Sequence, residues 1–450
     1  MRSLLGFISL LILSSALGLS PPTVDLSGDP LAATAPSTQP GKNAPTTQPR
    51  RDRPKRDPAS RPTSQSASQP ASAPTTSQAA SAPSSKPTTQ PTTQPAKPKE
   101  HFLAIVGGIL HPVSGPEMRG ATILCKESRI QAIGRHIKLP EGTEILDASG
   151  MHVYPGLIAA NTRGIVGSEP PEDTTNIYST NLRLANAAGL TTVVTGNTAA
   201  KAAFGSLDGI VLRKNLFIKL RYRSASDRRK LREALSKVRN YLREKEAYDR
   251  DKARREARAG DTDKSEKTDS EPKLKAPDKG AIKGGNEKYL KLIKREKAAI
   301  IRADNRSGLT AICDLIRDFD IRVVIQGAME GWTIPSRLGR AGIKAIVSPR
   351  RQSNRDERKN LAHGGSIENA GVLYDHGVEV AVTPSSTGIS LMGLAGRDLM
   401  NLPMEAAYAV RGGLPETAAL ESITLTAARI LGIDDRVGSI DVGKDADLIV

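Results

Sequence analysis

Apolar residues between positions 102 and 150 fall in short runs: Phe102-Leu-Ala-Ile-Val-Gly-Gly, then Ala121-Thr-Ile-Leu-Cys-Lys, then Glu144-Ile-Leu-Asp-Ala-Ser-Gly150. Gly, Ser and Asp punctuate them, which predicts the short strands of a small β domain over residues 101–152. From residue 153 the rhythm changes to apolar strands followed by stretches of helical period. Strands are predicted at residues 155–160, 191–195, 210–212, 299–303, 322–325, 345–348 and 378–383, and helices at 179–188, 309–319 and 367–376. Repeated strand–helix alternation implies a parallel α/β sheet, and the number of units favours a TIM-like (β/α)8 barrel over residues 153–220 and 298–436. In such a barrel the C-terminal ends of the strands carry the chemistry.

Residues 221–297 break this rhythm. Leu231, Leu235, Val238 and Leu242 recur at three- and four-residue steps, so an amphipathic helix is expected to about residue 259. A charged loop follows over 260–285 and a second helix over 286–297, which together read as a charged helical insertion, an arm or lid. Its lysines and arginines have no aromatic stacking pattern among them, so a solvated face is expected and a nucleic-acid partner is not.

Residues 1–20 have one positive charge, an apolar run and small residues near Ala16 and Gly18, the pattern of a secretory signal peptide. An uncleaved anchor is the alternative. Residues 21–100 are Pro, Ser, Thr, Ala and Gln in near-repeats, too poor in apolar groups to offset the entropy of ordering, and are expected to be a disordered linker. The protein is therefore expected to be exported, to the periplasm, cell envelope or extracellular space. Hydrophobic residues make up only 38% of the 450, largely because these stretches contribute few.

The net charge of +17 would suggest a polyanion-binding protein if it were spread evenly. It is not: residues 21–100 hold ten basic against five acidic residues, and residues 221–297 hold 26 against 15. With Arg2 these stretches account for the whole excess and leave the remainder balanced. Two cysteines, Cys125 and Cys313, lie in segments of different character, so packed free thiols are expected rather than a disulfide or a thiolate metal site.

Three strings carry a family resemblance: Pro155-Gly-Leu-Ile158, Ala188-Gly-Leu-Thr-Thr-Val-Val194, and Ser422-Ile-Thr-Leu-Thr-Ala-Ala-Arg-Ile-Leu-Gly432 followed by Arg436-Val-Gly-Ser-Ile-Asp-Val-Gly-Lys-Asp-Ala-Asp-Leu-Ile-Val450. In them the chain resembles the amidohydrolase superfamily, in its imidazolonepropionase-like and prolidase-like exported branch. The resemblance implies a barrel flanked by a small β-sandwich domain, to which residues 437–450 return as a strand. Relatives usually add further strands there, so an open sheet edge is expected. It also implies hydrolysis of non-peptide C–N bonds with one or two divalent metals such as zinc.

The family holds its metals with a His-x-His on strand one, a bridging carboxylate or carboxylated lysine, single histidines on strands five and six, and an aspartate on strand eight. Carried onto this chain, those positions are Asn161 and Arg163, Arg302 in Arg302-Ala-Asp304, Gly327 with Gln326 adjacent, and Ser385 in Thr383-Pro-Ser-Ser386. Lys214 and Lys219 are the candidates for the bridging lysine. A guanidinium stays protonated and has no lone pair to donate, so no metal cofactor is expected. Ser385, at the aspartate's position, is the one catalytic candidate, but it has no base placed to activate it. The six histidines, His101, His111, His136, His152, His363 and His376, are expected in surface or packing roles.

Two guanidinium groups at the strand ends would leave the pocket positive without a metal. Asn161, Arg163, Arg302, Asp304, Gln326, Ser385 and Ser386 are accordingly candidates for binding a small anionic molecule, a carboxylate or phosphate compound. The competing role for both arginines is a structural ion pair with Asp304. At the level of function, a non-catalytic binding or scaffold protein, with a cell-envelope, homo-oligomeric or paralogous partner, competes with an active hydrolase that uses a non-standard site.

Overall fold

The structure is a computed structural model that describes residues 100–261, 274–352, 360–390 and 398–450. The expected signal segment, the expected linker apart from Glu100, and part of the expected 260–285 loop lie outside the described residues.

Strand β1 (Phe102–Leu110) pairs antiparallel with β2 (Met118–Lys126), which turns back into β3 (Arg129–Gly134). The other edge of β1 takes two parallel partners in succession: β4 (Glu144–Asp147) along Leu103–Val106, then β5 (His152–Pro155) along Ile109 and Leu110. The change of partner falls at Gly107, whose φ of +76° and lack of a Cβ let the strand pass Ser149. With the return strand Leu448–Ile449 on β5, the six strands form one sheet. The expected sandwich is corrected by this pairing, since β4 and β5 share one edge of β1 instead of founding a second layer. Ile105, Leu110, Ile123, Ile130 and Val153 make its core with Ile440 and Leu448.

The remaining strands fall in two sheets. In the first, β6 (Leu157–Thr162) and β7 (Leu190–Thr195) are parallel, and β7 continues into an antiparallel meander through β8 (Thr198–Lys201) and β9 (Val211–Arg213). The second is wholly parallel: β10 (Ile218–Leu220), β11 (Ala299–Ala303), β12 (Val323–Gly327), β13 (Lys344–Val347) and β14 (Glu379–Val382), in that order. Leu448–Ile449 is β15. Strands such as β7, β12 and β13 are buried on both faces, which is why they appear in the sequence as continuous apolar runs.

Short helices α1 (Pro171–Thr174) and α2 (Thr180–Ala187) follow β6, and α3 (Ala225–Asp261) and α4 (Glu287–Ile293) lie between β10 and β11. Helices α5 (Arg306–Phe319), α6 (Pro335–Arg340) and α7 (Asn369–Asp375) connect the later strands. The chain then runs through α8 (Leu402–Arg411), α9 (Glu416–Ser422) and α10 (Leu425–Leu431). One set of strand side chains, including Val193, Ile301, Ile325, Val347 and Val382, packs against helices through Leu182, Leu235, Leu309, Ile312 and Leu373. The alternate set, including Ile158, Val194, Val324, Ile346 and Ala381, packs with Phe217, Ile430 and Leu431.

The eight-stranded ring of the sequence reading is not traced by a continuous ladder among the described residues. The two sheets meet through individual bonds: the Arg163 N–H donates to Thr387 O (2.6 Å), and Leu216 N–H donates to Asn197 O (3.0 Å). Residues 211–213 pair antiparallel because β7, β8 and β9 follow one another through connections too short for a parallel crossover. The result is a mixed α/β fold of the kind the TIM-barrel superfamily uses.

Helix α3 departs from a free arm in its first half. Leu231, Leu235, Val238 and Tyr241 are buried, and Arg239 donates to Asp318 O at the end of α5 (2.7 Å). The Arg232 guanidinium bonds the Asp318 carboxylate and holds its pKa below the usual range. This half is the crossover from β10 to β11. Residues 243–258 are almost entirely exposed. Both cysteines are free and buried, and burial pushes the Cys125 thiol up to about 12.

Candidate functional site

A cleft of about 660 Å³ opens at the C-terminal edge of the five-stranded sheet. Tyr222, Arg223 and Ser224 reach it from the turn between β10 and α3, residues Arg302–Asn305 from the end of β11, and Arg351 from beyond β13. Ser224 starts α3 in a reciprocal cap: its Oγ accepts from Asp227 N–H (3.0 Å), and Asp227 Oδ2 accepts from Ser224 N–H (3.1 Å). Asn305 caps α5 by accepting from Gly308 N–H (2.8 Å). Both turns are thereby fixed, and the side chains beside them are held at the rim.

Four guanidinium groups, those of Arg223, Arg228, Arg302 and Arg351, line the cleft against one carboxylate, Asp304. Arg351 Nη1 donates to Asp304 Oδ1 (2.9 Å). Its neighbour Arg350 is anchored on the buried Glu405, which accepts from the Arg350 N–H (3.0 Å) and Nε (2.7 Å), so the whole Arg350–Arg351 turn is positioned from below. Arg228 lies over the Tyr222 ring, 5.6 Å from its centroid. Arg223 and Arg302 make no ion pair among the described residues.

The structure divides the sequence candidates into two groups. Arg302 and Asp304 share the cleft, and Gln326, half-buried on β12, stands opposite Arg302 in the parallel register. Gly327 has φ +113°, and a Cβ there would collide with the Asp304 carboxylate. Asn161 is half-buried one residue before the end of β6, Arg163 is exposed just past the strand, and the exposed Ser385 and Ser386 follow β14. This second group is drawn together by the Arg163 bond to Thr387. It does not line the cleft. The expected pairing of Asp304 with Arg163 or Arg302 is corrected: its partner is Arg351, because the β13 turn brings that side chain across the sheet end. Lys214 pairs with Glu172 and Lys219 is exposed on β10.

Tyr222, Arg223, Arg228 and Arg351 were not among the sequence candidates. The first three lay in the presumed insertion. Arg351 carried a usable signal, since Ser348-Pro-Arg-Arg351 directly follows a predicted parallel strand, where ligand groups concentrate.

A divalent metal of the kind the resemblance implies needs side chains with lone pairs to donate. The strand ends present an amide, guanidinium groups, a glycine and hydroxyls, and their one carboxylate is bonded to Arg351. Among the described residues no three His, Cys, Asp or Glu side chains gather as metal ligands would. The residues present do not fit the ion. Elsewhere, His111 and His152 hydrogen-bond each other (2.7 Å) and stack with Tyr154 in the small sheet, where burial lowers the His111 pKa.

A parallel α/β sheet with a cleft at its C-terminal edge, joined to a small β domain, is an architecture that hosts many activities. The profile of the amidohydrolase family matches residues 152–450, and the chain belongs to that family. None of the curated proteins matches it. Among solved structures, an amidohydrolase from Thermotoga maritima MSB8 is similar at 21% identity over 77% of this chain and 93% of its own, with a TM-score of 0.56. That likeness shows the fold. A putative prolidase from Bifidobacterium longum aligns at 18% identity over 77% and 88% of the two chains, with a TM-score of 0.37. N-acetylglucosamine-6-phosphate deacetylase from Pasteurella multocida aligns at 14% over 77% and 94%, with a TM-score of 0.39.

Proposed function

We propose that this amidohydrolase-family chain is a binding protein for a small anionic molecule, a carboxylate or phosphate compound, and not a working metal hydrolase. The observation that carries the reading is the cleft at the ends of β10 and β11, where four guanidinium groups face a single carboxylate that is already paired. Guanidinium groups recognise carboxylate and phosphate through paired N–H donors. The volume of about 660 Å³ suits a small molecule. In this reading Asn161, Arg163, Arg302 and Ser385 stand where relatives keep metal ligands, and the parallel strands are the wall of the family's barrel. Ser385 and Ser386 lie outside the cleft, and among the described residues no general base hydrogen-bonds to either, so neither is offered as a nucleophile. The proposal extends to export, on the residues 1–20 pattern, and to a partner in the cell envelope.

Titration calorimetry with inorganic phosphate and small dicarboxylates tests the reading. Binding is expected, and Arg302→Gln together with Arg223→Gln should weaken it roughly tenfold or more, as loss of charge-assisted bonds implies. Absence of heat with every anion would end the proposal. Elemental analysis of protein purified without added metal is the second arm. Stoichiometric zinc or manganese would restore the active hydrolase with a non-standard site.

A further inference from the structure

A second cleft, of about 540 Å³, opens at the opposite, N-terminal edge of the same five-stranded sheet. The turns before β10, β11, β12 and β13 form it together with the end of α10. Seven cationic side chains line it against one carboxylate, Glu296. Four of them are neutralised from outside: Arg213 by Asp435 (3.4 Å), Lys214 by Glu172, Arg295 by Asp320 (2.9 Å) and Lys344 by Glu379 (2.9 Å). Three are not. Lys297 Nζ donates to Asn215 O (2.7 Å), Arg322 donates to Arg295 O, and Arg429 is exposed on the last turn of α10. None of the three makes an ion pair among the described residues.

A donor bonded to a neutral carbonyl keeps its full charge uncompensated. Lys297 and Arg322 are therefore fixed in position as cations by bonds that do not neutralise them. Beneath them the wall is apolar, made by Phe217, Ile430 and Leu431, all buried. Such a wall lowers the local polarity and strengthens the attraction of the rim for an anion. Like charges gathered on one edge repel one another, and an anion of several charges relieves all three at once. We propose that this cleft is a separate binding site for a compact multivalent anion of the oligophosphate class.

The site lies on the opposite sheet edge from the Arg302 cleft, and inorganic diphosphate is the probe. Calorimetry is run on the full chain in an Arg223→Gln, Arg302→Gln background, so that heat from the first cleft is suppressed. Diphosphate should still bind there, and Arg429→Glu added to that background should weaken it at least tenfold. Among the described residues the Arg429 side chain makes no hydrogen bond or ion pair, so an unchanged thermal midpoint is expected and would show that the fold is kept. Arg322→Lys is the second variant: it retains charge but loses the Nη2 bond to Arg295 O, and should weaken binding less than Arg429→Glu. Diphosphate affinity unchanged by Arg429→Glu, or no diphosphate binding in the double-glutamine background, would overturn the proposal.

Discussion

At the residue scale the most consequential group outside the clefts is Lys201 on β8. Its Nζ sits 2.8 Å from Asp445 Oδ2 and 2.9 Å from Asp447 Oδ1, with all three side chains almost wholly buried, and Arg436 completes the set on Asp445 (2.7 Å). The network ties the meander to the segment that returns to the small sheet. Lys201→Ala removes the cation shared by two buried carboxyl groups and leaves only Asp445, through Arg436, with an ionic partner, so it should cost about 3–5 kcal/mol in urea unfolding. Burial raises the Asp447 pKa, so the folded chain keeps a proton that the unfolded chain releases above about 3.8. Stability from that proton is complete below this pH and declines as pH rises through the folded value. Asp447→Asn should flatten that decline, and an unaltered pH profile between 4 and 7 would show that Asp447 stays ionised in the fold.

At the element scale, helix α3 separates into two halves with different sensitivities. Leu235, fully buried, packs with the sheet, and Leu235→Ala should destabilise by about 2–5 kcal/mol. Arg250 and Arg254 lie on the exposed half, and replacing either with Ala should change stability by less than about 0.5 kcal/mol. Equal effects on thermal midpoints would contradict the division. The period of Leu231, Leu235 and Val238 made the helix legible in the sequence, because it records which side meets the core. Its role as a crossover was not legible, since the buried face is the same whether it covers the sheet or closes on its own loop. The strands show the same limit. Continuous apolar runs marked β11, β12, β13 and β14, but the antiparallel turn of β9 and the sharing of one β1 edge by β4 and β5 depend on pairing partners far apart in the chain. At the site, Arg302 and Asp304 were found through the resemblance, which carries the family's strand-five motif onto Arg302-Ala-Asp304. The Asp304–Arg351 contact, across 47 residues, was set by packing of the β13 turn on Glu405.

At the scale of the whole molecule, a net charge of +17, concentrated in residues 21–100 and 221–297, and an apolar core lead to different expectations for affinity and for stability. Stability rests on apolar packing around Ile158, Ile301, Leu309 and Ile325, which salt leaves largely untouched. The anion binding proposed for the Arg302 cleft would rest on guanidinium charges open to solvent, and there the screening length shrinks from about 10 Å at 0.1 M salt to about 3 Å at 1 M. Phosphate affinity should therefore fall by about tenfold or more across that range while the thermal midpoint barely moves. Sodium chloride titration followed by calorimetry and by thermal unfolding on the same sample reads both quantities. If affinity holds steady in 1 M salt, hydrogen bonds from Tyr222, Ser224 and Asn305 hold the ligand and the arginines only shape the cleft. If the midpoint falls in parallel with affinity, the cleft's ion pairs, Asp304–Arg351 first among them, are part of what keeps the sheet ends folded, and binding cannot be tuned there without cost to the fold.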